Sequence, residues 1–475
     1  MQIIGRNAEI AILKELLQSK SPELLAIYGR RRVGKTFLIK TFFQEQIVFS
    51  CIGQYKCGIK EQLANFCENL HTYFPDLKWK TVTSWQQAFL QLRDGLLSLK
   101  TTQKHVIFFD ELPWLSSRKS GFLPAFSYFW NAYASDMPNI IVVICGAAAS
   151  WIIDKVVNDR GGLHNRITKR IRLLPFTLKE VKEYLEHKNI RYEHYELLQL
   201  YMVMGGIPAY LNEIKRGKSI AQNIEAICFS KDGLLTGEFD NLYAALFDAS
   251  ENHIRVIHAL AKKNNGLTRA EIASTSTLMT GGTLTKVLSE LTQSGFIEKV
   301  YPLGKKEKDS LYILTDEFSL FYFRFMRQHS TFEQNQWLSL QSSASYKSWC
   351  GYAFENICIK HIIQIKQALQ IGSVYSQSSS WVFKGDKNRG GAQIDLLIER
   401  ADNIINICEI KCSNKPFVIN KRYYTELQEK LRVFRRESGI RKSALLTFIS
   451  TYGVADNDYK YQLVDSEVTM EDLFK

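Results

Sequence analysis

Apolar runs recur along the first third of the chain, and each is followed by a segment with helical spacing. LLAIYG (24–29), QIVFSCIG (46–53), KHVIFF (104–109) and NIIVVIC (139–145) read as strands buried on both faces. FLIKTFF, KEQLANFCENLHTYF and SWQQAFLQLRDGLLSLK carry apolar residues at helical intervals. Strand and helix in alternation predict an α/β fold with a parallel sheet over 1–175. From 176 to 246 the period is helical throughout, as in LKEVKEYLEH and YELLQLYMVM. From 247 to 328 three helical stretches precede FIEKVYPLGKKEKDSLYIL, two strands around a charged loop, and LTDEFSLFYFRFM reads as an aromatic core helix. The Ser/Gln-rich stretch 329–346 is predicted to be a linker. Over 347–475 the pattern returns to α/β: a helix, a strand pair about the turn ADN, and a long amphipathic helix.

The junction of the first strand and its helix carries chemistry. GRRRVGKT, from Gly29 to Thr36, matches G-x-x-x-x-G-K-[ST] in the strand–loop–helix setting that a phosphate-binding loop requires. Gly29 and Gly34 permit backbone geometry that turns N–H groups inward, so the amides of Arg30, Arg31, Arg32, Val33, Lys35, Thr36 and Phe37 become candidates to cradle polyphosphate. Lys35 reaches the β/γ-phosphates and the Thr36 hydroxyl ligates Mg²⁺. Downstream, the strand ending in Asp110-Glu111 supplies the complement: Asp110 to hold Mg²⁺, Glu111 to polarise the attacking water. The N-terminal IIG, with Ile4 at its centre, is a candidate cover for the adenine ring. Arg166, in the loop before an apolar strand, is the first candidate for an arginine finger reaching a neighbouring subunit's nucleotide, which implies a homo-oligomer. Arg160, Arg170 and Arg172 are rivals, and a solvated basic loop is the plainer reading. Pro208 in GGIPAYL either touches the base or simply starts a helix.

A second set of polar residues lies in the C-terminal strand pair. If GGAQIDLLIER and NIINICEIKCS fold symmetrically about Asp402, Asp395 falls opposite Glu409, and Glu409 and Lys411 share a face. Two carboxylates and an amine gathered on buried strands suit metal-assisted attack on a phosphodiester: Asp395 and Glu409 holding Mg²⁺, Glu355 adding a ligand, Lys411 orienting the water. A surface hairpin with ordinary acidic residues is the alternative. The helix after it carries Arg432, Arg435 and Arg436, which read as phosphate contacts or as a solvated face.

The formal net charge of +13 makes an anionic partner plausible on electrostatic grounds, and nucleic acid is the usual one. Nine cysteines form no C-x-x-C pair, and the N-terminus is charged within six residues, so reduced thiols in a cytoplasmic protein are expected. IIVVICGAAA is too short to cross a bilayer, and no membrane role is expected.

IIGRNAEI, GRRRVGKT, FFDELPWL, VVICGAAASWI, GGLHNRI, LPFTLKEV, GGIPAYL and the D…E-x-K segment together resemble the archaeal-type ATPases with a C-terminal nuclease-like domain. The ATPase half is similar to the STAND branch of the AAA+ class, where a G-x-P motif, here Gly206 and Pro208, replaces a second sensor arginine. The tail resembles the PD-(D/E)xK fold centred on Asp395, Glu409 and Lys411. The resemblance implies an AAA+-type sheet over 1–175, a helical lid over 176–246, a winged helix over 247–328 and a restriction-endonuclease-like domain over 347–475. It implies ATP and Mg²⁺ as cofactors and ATP-controlled work on DNA. The chain departs from the class at the first sensor, where Ala147, Ala148 and Ala149 stand in place of a polar residue.

Overall fold

The computed structural model describes residues 2–99, 102–117, 119–158, 161–247, 249–277, 281–327, 336–385 and 390–475. The chain divides into two compact units, Met1–Pro175 and Phe176–Lys475. The first is built on strands β1 (Glu23–Tyr28), β2 (Ile47–Ile52), β3 (His105–Asp110), β4 (Ile140–Gly146) and β5 (Lys169–Arg172). They form one parallel sheet in the order β2-β3-β4-β1-β5. Every residue of β3 and β4 is buried, which is why these strands read as continuous apolar runs rather than as alternating ones. Helices Ile59–Tyr73, Trp85–Leu97 and Phe122–Ala132 cover one face, where Phe66, Trp85, Phe89, Phe109, Phe122 and Phe126 interlock edge-to-face and stacked.

The second unit begins with helices Leu178–His187, His194–Met204 and Pro208–Leu211. Helices Ser250–Ala261, Arg269–Ser276 and Gly282–Gln293 follow, with an antiparallel sheet in the order β6-β8-β7 from β6 (Leu267–Thr268), β7 (Ile297–Val300) and β8 (Leu311–Leu314). Beyond the helix Ala344–Lys360 lies a mixed sheet of β9 (Ser376–Phe383), β10 (Ala392–Arg400), β11 (Ile404–Lys411), β12 (Ser443–Ser450) and β13 (Ser466–Thr469). Its order is β13-β12-β11-β10-β9: β9, β10 and β11 pair antiparallel, β11, β12 and β13 parallel. The helix Lys421–Glu437 packs Leu427, Val433 and Phe434 on this sheet.

The stretch expected to be a linker behaves differently. Residues 329–335 lie outside the described residues, but Gln336–Gln341 is helical and Trp337 is fully buried against Phe321, Phe325 and Phe229. The Ser/Gln content set the expectation. One indole among polar neighbours overrides it, because burying a ring contributes more than several exposed hydroxyls cost.

Two segments of the second unit far apart in sequence are joined by a neutral histidine. The Nε2 of His361 accepts a hydrogen bond from the Leu178 N–H at 3.0 Å, one of the donors left unpaired at a helix start. Its Nδ1 therefore carries the proton and faces the Ile357 carbonyl at 2.8 Å. Burial pushes the imidazole down to about 4 from 6.5, against the raising effect of the Ile357 carbonyl. Because the folded value is the depressed one, the stabilisation is complete above pH 6.5 and is lost as pH falls from there toward 4, by up to about 3 kcal/mol. His361→Gln should therefore flatten the fall of the unit's melting temperature across that window, measured by differential scanning calorimetry against wild type.

Candidate functional site

At the end of β1 the chain must turn sharply, and two glycines make the turn. Gly29 has φ 151°, and a Cβ there would lie 2.3 Å from the Leu173 carbonyl oxygen. Gly34 has φ 93°, which an L side chain rarely adopts, and open space where its Cβ would be. The helix Lys35–Phe42 starts directly after it. The Lys35 ammonium folds back onto the carbonyls of Gly29 and Arg30, 2.9 Å from each, so a buried cation stands inside the loop. The Thr36 hydroxyl donates to Asp110 Oδ2 at 2.7 Å. A hydroxyl and a carboxylate so close, at a helix N-terminus, are hard oxygen donors of the kind Mg²⁺ takes alongside phosphate, and the loop fits a Mg²⁺-nucleotide.

Asp110 closes β3 and is buried. Glu111 follows with φ 47°, a left-handed backbone for a non-glycine residue, a strain that clusters at functional sites. Its Oε2 accepts the N–H of Ala147 at 3.2 Å. Burial raises the Glu111 carboxyl above its usual range; Lys35 and the Ala147 amide pull it back, while Asp110 adds to the rise. The backbone amide of Ala147 thus makes a polar contact to Glu111 where the side chains are only alanines.

The remaining N-terminal candidates scatter. Val33 is buried, Ile4 and Arg31 are half-buried, and Arg32 and Phe37 are exposed. Arg30 is buried at 4% exposure. Arg166 is exposed in the turn before β5, and Arg170 and Arg172 are exposed on that strand; Arg160 lies outside the described residues. Pro208 opens its helix in the second unit, with the preceding Gly206 packed so tightly on Phe176 that a Cβ would lie 1.9 Å from its carbonyl oxygen. Sequence reasoning missed Arg6. This buried guanidinium donates to the Val33 carbonyl at 3.2 Å and to the Leu174 carbonyl at 2.7 Å, tying the N-terminal segment to the loop. The GR in IIGR was its only signal.

In the second unit β10 and β11 pair with Leu396 opposite Cys408 and Glu399 opposite Ile405, a register centred on Asp402. The pairing ends at Leu396 and Cys408, one step short of Asp395 and Glu409. Gln393 Nε2 donates to Asp395 Oδ1 at 2.6 Å. Glu409 is engaged on both oxygens: Oε1 by the Tyr423 hydroxyl at 2.5 Å and Lys411 at 2.8 Å, Oε2 by Lys430 at 2.7 Å. Burial opposes its charge, but Lys411 and Lys430 outweigh burial and hold the carboxyl down to about 2. Glu355 has the opposite fate. Burial, then the charges of Asp395 and Glu409, push it up to about 8, and Lys411 only partly offsets them. The four groups therefore feel one another. As they stand they do not close a metal cage: among the described residues no three His, Cys, Asp or Glu side chains form one. Lysines occupy the oxygens of Glu409 instead. Tyr423 and Lys430 were not foreseen, although they sit seven apart on the face of the helix Lys421–Glu437 that also carries Leu427. Of the arginines expected to meet phosphate, Arg432 pairs with Glu429 and Arg436 with Glu437.

Two sets of measurements test these placements. Lys35→Ala should weaken binding of a fluorescent ATP analogue at least tenfold, whereas Glu111→Gln should bind it normally and hydrolyse ATP about a hundredfold more slowly. For Glu355, whose folded value of about 8 exceeds the unfolded 4.5, stability is highest below 4.5 and is lost as pH rises toward 8. In Mg²⁺-free buffer Glu355→Gln should match wild type near pH 4 and melt at least about 2 °C higher above pH 8.

No helix of the described residues is long and apolar enough to cross a membrane. The chain is 24% identical over 437 residues to an uncharacterized protein of Methanocaldococcus jannaschii, covering 90% of this chain and 92% of that one. Among solved structures, the Walker-type ATPase PABY2304 of Pyrococcus abyssi matches at 20% identity and TM-score 0.49, covering 68% of this chain and 96% of its own. The Aeropyrum pernix ORC2 protein matches at 14% identity and TM-score 0.44, covering 72% and 96%. Residues 3–214 match the family described as an ATPase domain predominantly from Archaea. The phosphate loop and the Asp110–Glu111 pair lie inside that span, so the N-terminal part of the chain is similar to the ATPase domains of this family.

Proposed function

We propose that the chain is a Mg²⁺-dependent ATPase acting on DNA, in which the nucleotide state governs a phosphodiesterase-like centre at Asp395, Glu409 and Lys411. The observation that carries the ATPase half is the Thr36–Asp110 hydrogen bond beside Lys35, since it brings the two motifs onto one cation position. In that reading Lys35 leaves the Gly29 and Arg30 carbonyls for the phosphates, Thr36 and Asp110 hold the ion, and Glu111 takes the proton of the attacking water. The ion, when bound, neutralises charge on the transferring phosphoryl group. Arg166 remains the first candidate finger, and Ile4 and Pro208 the candidate base contacts.

For the second centre, support comes from a strand register centred on Asp402, which carried one step further would bring Asp395 opposite Glu409, and from the net charge of +13. The order helix, strand, helix, helix, strand, strand over 250–314 is read as a winged helix. Its third helix offers only Lys286, 3.7 Å from Glu290, so DNA recognition is not assigned to it. A second reading has a specific observation in its favour. With both Glu409 oxygens held by lysines and a tyrosine, the tail acts as a non-cleaving partner of a nucleotide-driven switch.

Cleavage assays with single-stranded, duplex and forked DNA, Mg²⁺ and either ATP or ADP separate the two. The first reading expects ATP-dependent cutting that Asp395→Ala abolishes without changing ATP hydrolysis. If no form is cut, or if the variant cuts like wild type, the second reading stands in its place, and it requires ATP and ADP to give different oligomeric states by light scattering.

A further inference from the structure

A cavity of about 780 Å³ opens in the Phe176–Lys475 unit, within the size range of ligand sites. Its wall comes from three elements: the end of the helix Ser250–Ala261, the aromatic stretch around Phe323, and the helix Ala344–Lys360. Lys262, Arg324 and Arg327 stand on it, all exposed, and among the described residues no aspartate or glutamate lines it. Among the described residues none of the three cations forms a salt bridge. The Arg327 guanidinium lies 5.4 Å from the Phe323 ring centroid, which orients it. Trp349 and Tyr352 complete the aromatic side, and Tyr352 is 39% exposed. A neighbour also reports the positive field: burial lowers the His258 imidazole, and Arg327 and Lys262 lower it further.

Beside the cavity lies a residue of the carboxylate cluster. A smaller recess shares Asn264, Leu320, Trp349 and Tyr352 with its wall and is lined by Glu355. The next residue, Asn265, donates to Gln393 Oε1 at 2.7 Å, and Gln393 is the residue that donates to Asp395. Cations without carboxylates match a phosphodiester backbone, and an exposed ring beside them gives a base a face to stack on. A duplex keeps its bases stacked inside and has no use for that ring.

We propose that this cavity binds a single-stranded polynucleotide, with phosphates held by Lys262, Arg324 and Arg327 and a base stacked on Tyr352, and that it leads the strand to the Glu355–Asp395–Glu409 cluster. The second half rests on the phosphodiesterase-like reading of that cluster; the binding does not.

The test is fluorescence anisotropy with the full chain in EDTA, using labelled oligo-dT, oligo-U and a DNA duplex. Wild type should bind the strands more tightly than the duplex, and the dT and U arms show which sugar is preferred. Arg324→Glu combined with Arg327→Glu should weaken strand binding at least tenfold and reduce the log–log salt slope by about 1.4. Lys262→Glu, on a different element, should weaken it several-fold, and Tyr352→Ala should do so without changing the salt slope. Charge-reversed proteins that melt normally and still bind the strands like wild type would overturn the proposal, as would a preference for duplex. Binding that behaves as expected while no DNA is cut removes the cleavage reading alone.

Discussion

The hydrogen bond between Thr36 and Asp110 joins residues 74 apart in the chain, and the first unit is arranged so that it forms. Asp110 is not on a strand next to the phosphate loop. β4 lies between β1 and β3, so the carboxylate approaches the loop across an intervening strand. That spacing leaves the end of β4 between Asp110 and the loop, where the Ala147 amide can reach Glu111. The aromatic core under β3 holds Phe109, and through it Asp110, in place. Disturbing either β4 or that core moves Asp110 relative to the loop, because close-packed interiors transmit strain.

The C-terminal cluster shows the same physics with a different balance. Three carboxylates are drawn into one region by strand pairing and by the helix Ala344–Lys360, and like charges in poor solvent cannot all remain ionised. Lys411 and Lys430 keep Glu409 charged, while burial and the neighbouring carboxylates hold Glu355 protonated to about pH 8. The result is a stable polar cluster that already has its counter-charges, which is why the proposed cleavage and the proposed non-cleaving role turn on whether a cation can displace a lysine there.

Much of this was legible from residue order. GRRRVGKT has its own physical logic in glycine geometry and helix-terminal amides, and a run such as HVIFFDE announces a buried strand ending in charge. The D…E-x-K register was legible too, because side chains on a strand alternate and a three-residue turn sets the pairing. Buried charges placed by tertiary packing were not. Arg6 looks like any surface arginine, Lys430 like one more cation in a basic helix, and Trp337 like an accident in a polar stretch.

By itself, then, the sequence determined the nucleotide loop, the strands of the parallel sheet and the β10–β11 register about Asp402, since each follows from local backbone rules and hydrophobic period. Only the tertiary structure decided that the Ala147 amide meets Glu111, that Glu409 is held by two lysines, and that Lys262, Arg324, Arg327 and Tyr352 share one cavity. Those outcomes depend on which distant groups are buried together, and burial sets the strength of every charge interaction involved.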